Sequence, residues 1–184
     1  MNKTNKLVSI VAFGLGVIVF GERSYAEPTM DQTVNFILDN IQSECDTEMI
    51  DSRSVTNTHI SFDEGVMNAS EKTTHIKNAF PIYKSVLWVT KVKLSDLDPR
   101  LSFEISDSQF TPINGNSCAY LKLECITKDC ITRETTGKRV DGTEKHVTGT
   151  DSQSSITMGA FKIEEISKAL SHLIKLHGGD EQLF

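Results

Sequence analysis

The strongest limit on what this chain can become lies near its C-terminus, in "FKIEEISKALSHLIKLHGG" from Phe161 to Gly179. Ile163, Ile166, Leu170, Leu173 and Ile174, joined by Leu176 or His177, recur at helical spacing, while Glu164, Glu165, Lys168 and Lys175 fall on the other side. Gly178 and Gly179 supply the left-handed residue that ends such a helix. Five large aliphatic side chains on one stripe represent on the order of 10 kcal/mol of gross burial. A helix this apolar on one side needs a surface to lie on, and the rest of the chain has to provide it.

Much of what precedes it alternates with period two. Thr58, Ile60 and Phe62 alternate ahead of an Asp63-Glu64-Gly65 turn, which predicts a hairpin with "VMNASE". In "IYKSVLWVTKVKLSDLDP", Val86, Trp88, Thr90, Val92 and Leu94 share a face, and Lys91 and Lys93 take the other; Asp98-Pro99 stops the run. Leu101, Phe103 and Ile105 alternate next, then Ala119, Leu121, Leu123 and Cys125, after which "CITRETT" turns back. A last strand is expected around "SSITM", beyond a polar loop from Thr135 to Gly149. Strands buried on both faces would read as unbroken apolar runs, so the alternation predicts an antiparallel sheet with one wet side.

At the other end, Met30, Val34, Ile37, Leu38, Ile41 and Cys45 form a second helical stripe, predicting a helix from about Met30 to Asp46. Thr29 and Gln32 have capping-box spacing, and Asp31 suits the positive end of the helix dipole. Before it, Lys3 and Lys6 precede fourteen uncharged residues from Leu7 to Phe20, and Ser24 and Ala26 sit at −3 and −1 of a cleavage point. That layout is a secretory signal peptide covering residues 1–26. Its apolar run is shorter than the roughly 20 residues of a membrane span.

The expected organisation is therefore a leader over 1–26 and a single α+β domain over 27–184. Within the domain an N-terminal helical region occupies 27–50, antiparallel strands 57–158 and a C-terminal helix 160–177. Of the 19 basic and 25 acidic residues, Lys3, Lys6, Arg23 and Glu22 lie in the leader, so the mature chain carries a net charge of −8. That balance disfavours nucleic acid, which is bound by concentrated positive charge, and simple adhesion to anionic lipid.

Cys45, Cys118, Cys125 and Cys130 all lie in the mature part, and an even count in an exported chain points to disulfides. A bond between Cys125 and Cys130 would close a tight turn, leaving Cys45 for Cys118; the other two connectivities stay open. Zinc is disfavoured because the spacings exceed those of paired ligands.

A run of antiparallel strands closed by one C-terminal helix resembles the pleckstrin-homology-like barrel over about Thr58 to Gly178. The resemblance rests on element order and on the Phe161–Gly179 segment. It implies a curled sheet or barrel plugged by the last helix, with the first helix as an addition. A cystatin- or lipocalin-like sheet wrapped on a helix is the alternative. Lipid-binding members of that family use a basic strand–loop–strand pocket. Here only Lys138 and Arg139 stand in a comparable place, offset by Asp141 and Glu144, so phosphoinositide binding is not carried over.

Chemistry-bearing motifs are scarce. The chain has no H-E-x-x-H, G-x-S-x-G, P-loop or G-x-G-x-x-G, so no catalytic residue, metal or cofactor is assigned. His172 and His177 lie five apart, on different faces of their helix. Trp88, the sole tryptophan, is either a core ring or a ligand contact, and with Lys138 and Arg139 it completes the candidate contacts. The sequence thus predicts a periplasmic or secreted binding or interaction protein, not an enzyme, whose partner is a protein, a peptide or a small amphiphile. Two alternatives accompany it. One is an inhibitor or effector of a foreign protein acting through the segment Thr135 to Gly149, and the other is an enzyme with a dispersed site.

Overall fold

A computed structural model describes residues 27–41, 44–49, 52–78, 82–105, 111–112 and 118–179. The expected leader over 1–26 lies outside the described residues. Helix α1 spans Met30–Asn40 and is followed by β1 (Glu44–Met49), β2 (Ser52–Asp63), β3 (Val66–Asn78) and β4 (Tyr83–Lys93). A 3-10 turn at Leu94–Asp96 leads to β5 (Ser102–Ile105), β6 (Thr111–Pro112), β7 (Cys118–Glu124), β8 (Ile131–Arg139), β9 (Glu144–Asp151) and β10 (Gln153–Gly159). Helix α2, Ile163–Leu176, closes the chain.

The strands form two antiparallel sheets, ordered β6-β1-β2-β3-β4-β8-β9 and β10-β7-β5. The fold is therefore α+β with a C-terminal helix and antiparallel sheets, the latter as the alternation implied, and among the described residues the seven-stranded sheet ends in two edges without closing into a barrel.

The inner face of the large sheet is ordered by register. Its cross-strand rows begin with Phe62–Met67–Val92 across β2, β3 and β4 and Ile131–Asp151 across β8 and β9, then Ile60–Ala69–Thr90–Arg133–Gly149 across all five strands. The third row is Thr58–Glu71–Trp88–Thr135–Val147, and the fourth Thr56–Thr73–Val86–Gly137–Lys145. The face thus grades from apolar to polar along the strands.

Strand β10 crosses it. The Thr157 N–H donates to Glu71 Oε1 at 2.8 Å, and the Thr58 hydroxyl donates to the Thr157 carbonyl. At Thr157 the free edge of the small sheet is thereby satisfied by side chains of the large one, which offsets the cost of burying an unpaired strand edge there. On one side of this seam lies the core, where Leu121, Leu123, Ile156 and Met158 meet Ile166, Leu170, Leu173 and Ile174 of α2, all buried.

Both helices follow from local signals. Thr29 Oγ1 accepts from the Gln32 N–H at 3.3 Å and Gln32 Oε1 accepts from the Thr29 N–H at 2.9 Å, closing the expected capping box. The stripe of α2 is buried at Ile163, Ile166, Leu170, Leu173 and Ile174, whereas Leu176 is exposed and His177 half-buried. Gly178 has φ of 87° and takes the left-handed position after the helix. The helices run antiparallel, pinned by Lys162 Nζ donating to Asn40 Oδ1 at 2.6 Å and His172 Nε2 donating to the Pro28 carbonyl at 3.0 Å.

Several expectations need correction. The first helix stops at Ile41 instead of reaching Asp46, and Cys45 lies in β1, opposite Thr56. The strands accordingly begin at Glu44 and not at residue 57. Cys45 matches the helical stripe by coincidence, and pairing with β2 decides its conformation. The segment Thr135 to Gly149 is no loop: it belongs to the β8–β9 hairpin, paired from Ile131↔Asp151 to Lys138↔Glu144. Cys125 and Cys130 do not join a hairpin either. They flank the corner at which the chain leaves the small sheet at β7 and enters the large sheet at β8.

Disulfides join Cys45 to Cys118 and Cys125 to Cys130. The first links β1 of the large sheet to β7 of the small one. The second braces the corner, where the Ile126 N–H also donates to the Asp96 carbonyl at 2.9 Å.

Candidate functional site

On the far side of the β10 seam the two sheets leave an open cleft of about 360 Å³. Its walls come from Arg133 of the large sheet and from Lys122, Glu124, Gln153, Ser154 and Ser155 of the small one. Strand alternation accounts for Arg133 and Lys122. Arg133 shares the inner face of β8 with Ile131, and Lys122 lies on the opposite face of β7 from Leu121 and Leu123, which are committed to the core.

Arg133 is the central group. It is half-buried, and its guanidinium carbon stands 5.9 Å from the centroid of the Trp88 ring, within cation–π range. Among the described residues it forms neither a hydrogen bond nor an ion pair, and its Nε is enclosed without a partner. Three more buried polar atoms share that condition: Glu71 Oε2, Thr90 Oγ1 and Ser154 Oγ. Register places Thr90 directly opposite Arg133 and Glu71 directly opposite Trp88. Unpartnered buried polar groups are rare in folded proteins and cost about 1–3 kcal/mol each. Four around a single seam mark it as unlike the rest of the core.

Burial pushes the Glu71 carboxyl above the usual carboxylate range, against the Thr157 hydrogen bond and the charge of Arg133, both of which favour ionisation. Because the folded-state value lies above the unfolded one, the native protein holds this proton more tightly. Stability therefore falls as pH rises from the ordinary glutamate value of 4.5 through the folded-state value, and levels off above it. Glu71→Gln keeps an oxygen for the Thr157 N–H and cannot ionise. Urea unfolding at a series of pH values should show a shallower loss of stability above 4.5 in the variant than in the wild type.

Of the contacts read from the sequence, only Trp88 comes near this cleft, through its ring contact with Arg133. Lys138 and Arg139 lie at the end of β8 beside the turn, with Lys138 Nζ 4.0 Å from Glu144 Oε1, and the fold does not bring them to Trp88. Arg133, Lys122 and Ser154 were missed. A signal for the first existed: in "CITRETT" Arg133 sits two residues from Ile131, so both must share a face.

A second exposed feature is β9. All eight of its residues are exposed, and among the described residues nothing pairs with its outer edge. The five histidines are dispersed over β2, β3, β9, α2 and the residue after it, and no group of three potential metal ligands occurs among the described residues. No described helix is long and apolar enough to cross a membrane. Compared with protein-family models, curated proteins and solved structures, the chain finds no match in any of the three.

Proposed function

We propose that this chain is an exported, non-enzymatic binding protein that holds its ligand in the cleft between the two sheets. The observation that carries this is Arg133: a half-buried cation with five N–H donors, no hydrogen bond among the described residues, and an open concavity in front of it. Rigid walls support the reading, because the cleft is built on strands and its two sheets are tied by the Cys45–Cys118 bond. The two disulfides support an oxidising compartment, periplasmic or outside the cell.

Native mass spectrometry of the mature protein, isolated under non-denaturing conditions from cells that normally export it, tests the proposal. The wild type carries a bound mass, and Ser155→Trp, which fills the cleft, does not. Wild-type protein that is bare in such preparations sinks the reading. The exposure of β9 along its whole length favours a second reading, an inhibitor or effector that contacts a protein through the β8–β9 hairpin. Complex formation on that surface is lost in Val147→Pro, since proline cannot continue the strand, and survives Ser155→Trp.

A further inference from the structure

We propose that the cleft takes a small ligand bearing an oxyanion, whose acid group is held by Arg133 while its remainder lies along Gln153, Ser154 and Ser155. This rests on the cleft reading and gives it a ligand class. Glu71 is the natural counter-ion for Arg133, yet its Oε1 is occupied by the Thr157 N–H and no ion pair closes between them. Glu124, the acid in the opposite wall, accepts from Gln153 Nε2 at 3.3 Å. Lys122, which adds a second positive group, is engaged with Glu104 at the surface. What remains open towards the cleft is the Arg133 guanidinium, with Ser155 beside Lys122 in the wall, while the Ser154 hydroxyl is buried next to it without a partner among the described residues.

A half-buried guanidinium without a hydrogen bond or close ion pair among the described residues is costly, and the planar fork of arginine matches carboxylate and phosphate geometry. The Trp88 ring under it limits the orientations that the fork can take, so little is lost in ordering it when a ligand arrives. A cationic ligand would meet like charge. A neutral one would leave the arginine uncompensated.

The chain contains its own reporter, because Trp88 is the only tryptophan. Fluorescence of the disulfide-bonded mature protein is followed at constant ionic strength during titration with inorganic phosphate, succinate and, as a cation, choline. Phosphate or succinate is expected to change the Trp88 emission saturably, and the two arms separate phosphoryl from carboxylate recognition. Arg133→Gln should weaken the response about tenfold or more, the scale of a charge-assisted hydrogen bond. Arg133→Lys, which keeps the charge and lacks the fork, should fall between. Lys138→Gln with Arg139→Gln should bind like the wild type, since neither residue reaches the cleft. Circular dichroism confirms that each variant is folded.

A saturable response to either anion that Arg133→Gln leaves unchanged overturns the proposal, as does the absence of saturation with both. A response to choline alone overturns the ligand class but leaves binding in the cleft standing. A bare wild-type protein in the mass-spectrometric test removes both.

Discussion

The Cys45→Ala, Cys118→Ala double variant unfolds with about 4.5 kcal/mol less free energy than the wild type. The bond joins residues 73 apart in sequence, and a cross-link closing a loop of that size removes about this much conformational freedom from the unfolded chain in the chain-entropy model. Cys125 and Cys130 are 5 apart, and on the same reasoning their removal costs about 2 kcal/mol. Small domains are typically stable by only about 5–15 kcal/mol, so the first loss threatens folding itself and the second does not. Urea unfolding of the two double variants, monitored by circular dichroism, separates them. Equal losses would contradict the account.

The second large effect is expected at Leu173, which is fully buried between α2 and the core. Leu173→Ala should cost about 3–4 kcal/mol, from lost transfer energy and from the cavity left behind. Leu176, one turn outward and 42 % exposed, provides the comparison. Its alanine variant should stay within about 0.5 kcal/mol of the wild type. Thermal and urea unfolding of both variants tests whether α2 is held by its stripe. A small loss at Leu173 would mean that the helix contributes little to closing the fold.

Legibility followed the source of each conformational preference. The α2 stripe, its glycine terminus, the Thr29–Gln32 box and the Glu64-Gly65 turn are written in neighbouring residues and could be read. The turn is left-handed at both positions, with φ of 47° and 78°. Strand β1 could not be read, because its conformation depends on β2, and Cys45 fits a helical stripe by chance. Strand β9 escaped because every residue is exposed, so no apolar alternation betrays it. The division into two sheets was invisible for a related reason. Alternation says which side of a strand is buried, not which strand lies beside it. The same limit applies to the resemblance to a pleckstrin-homology-like barrel, since the order of elements does not distinguish an open sheet from a closed one.

At the cleft the difficulty was different. Trp88 was noticed because it is unique, whereas Arg133 is one charged residue among many. Its significance comes from what it lacks, and a missing partner can be recognised only once the neighbours are known. Lys138 and Arg139, adjacent in sequence, drew attention as a basic pair, but their strand delivers them to the turn.

The crossing of β10 over β2 and β3 has a consequence for assembly. The small sheet takes its members from residues 102–105, 118–124 and 153–159. The interior therefore cannot shut until residues 153–159 have joined the earlier strands, and α2 has nowhere to settle before then. Contacts so distant along the chain form slowly. A polypeptide threaded through a pore from its N-terminus would remain pliable until β10 and α2 emerged, and would lock only on the far side.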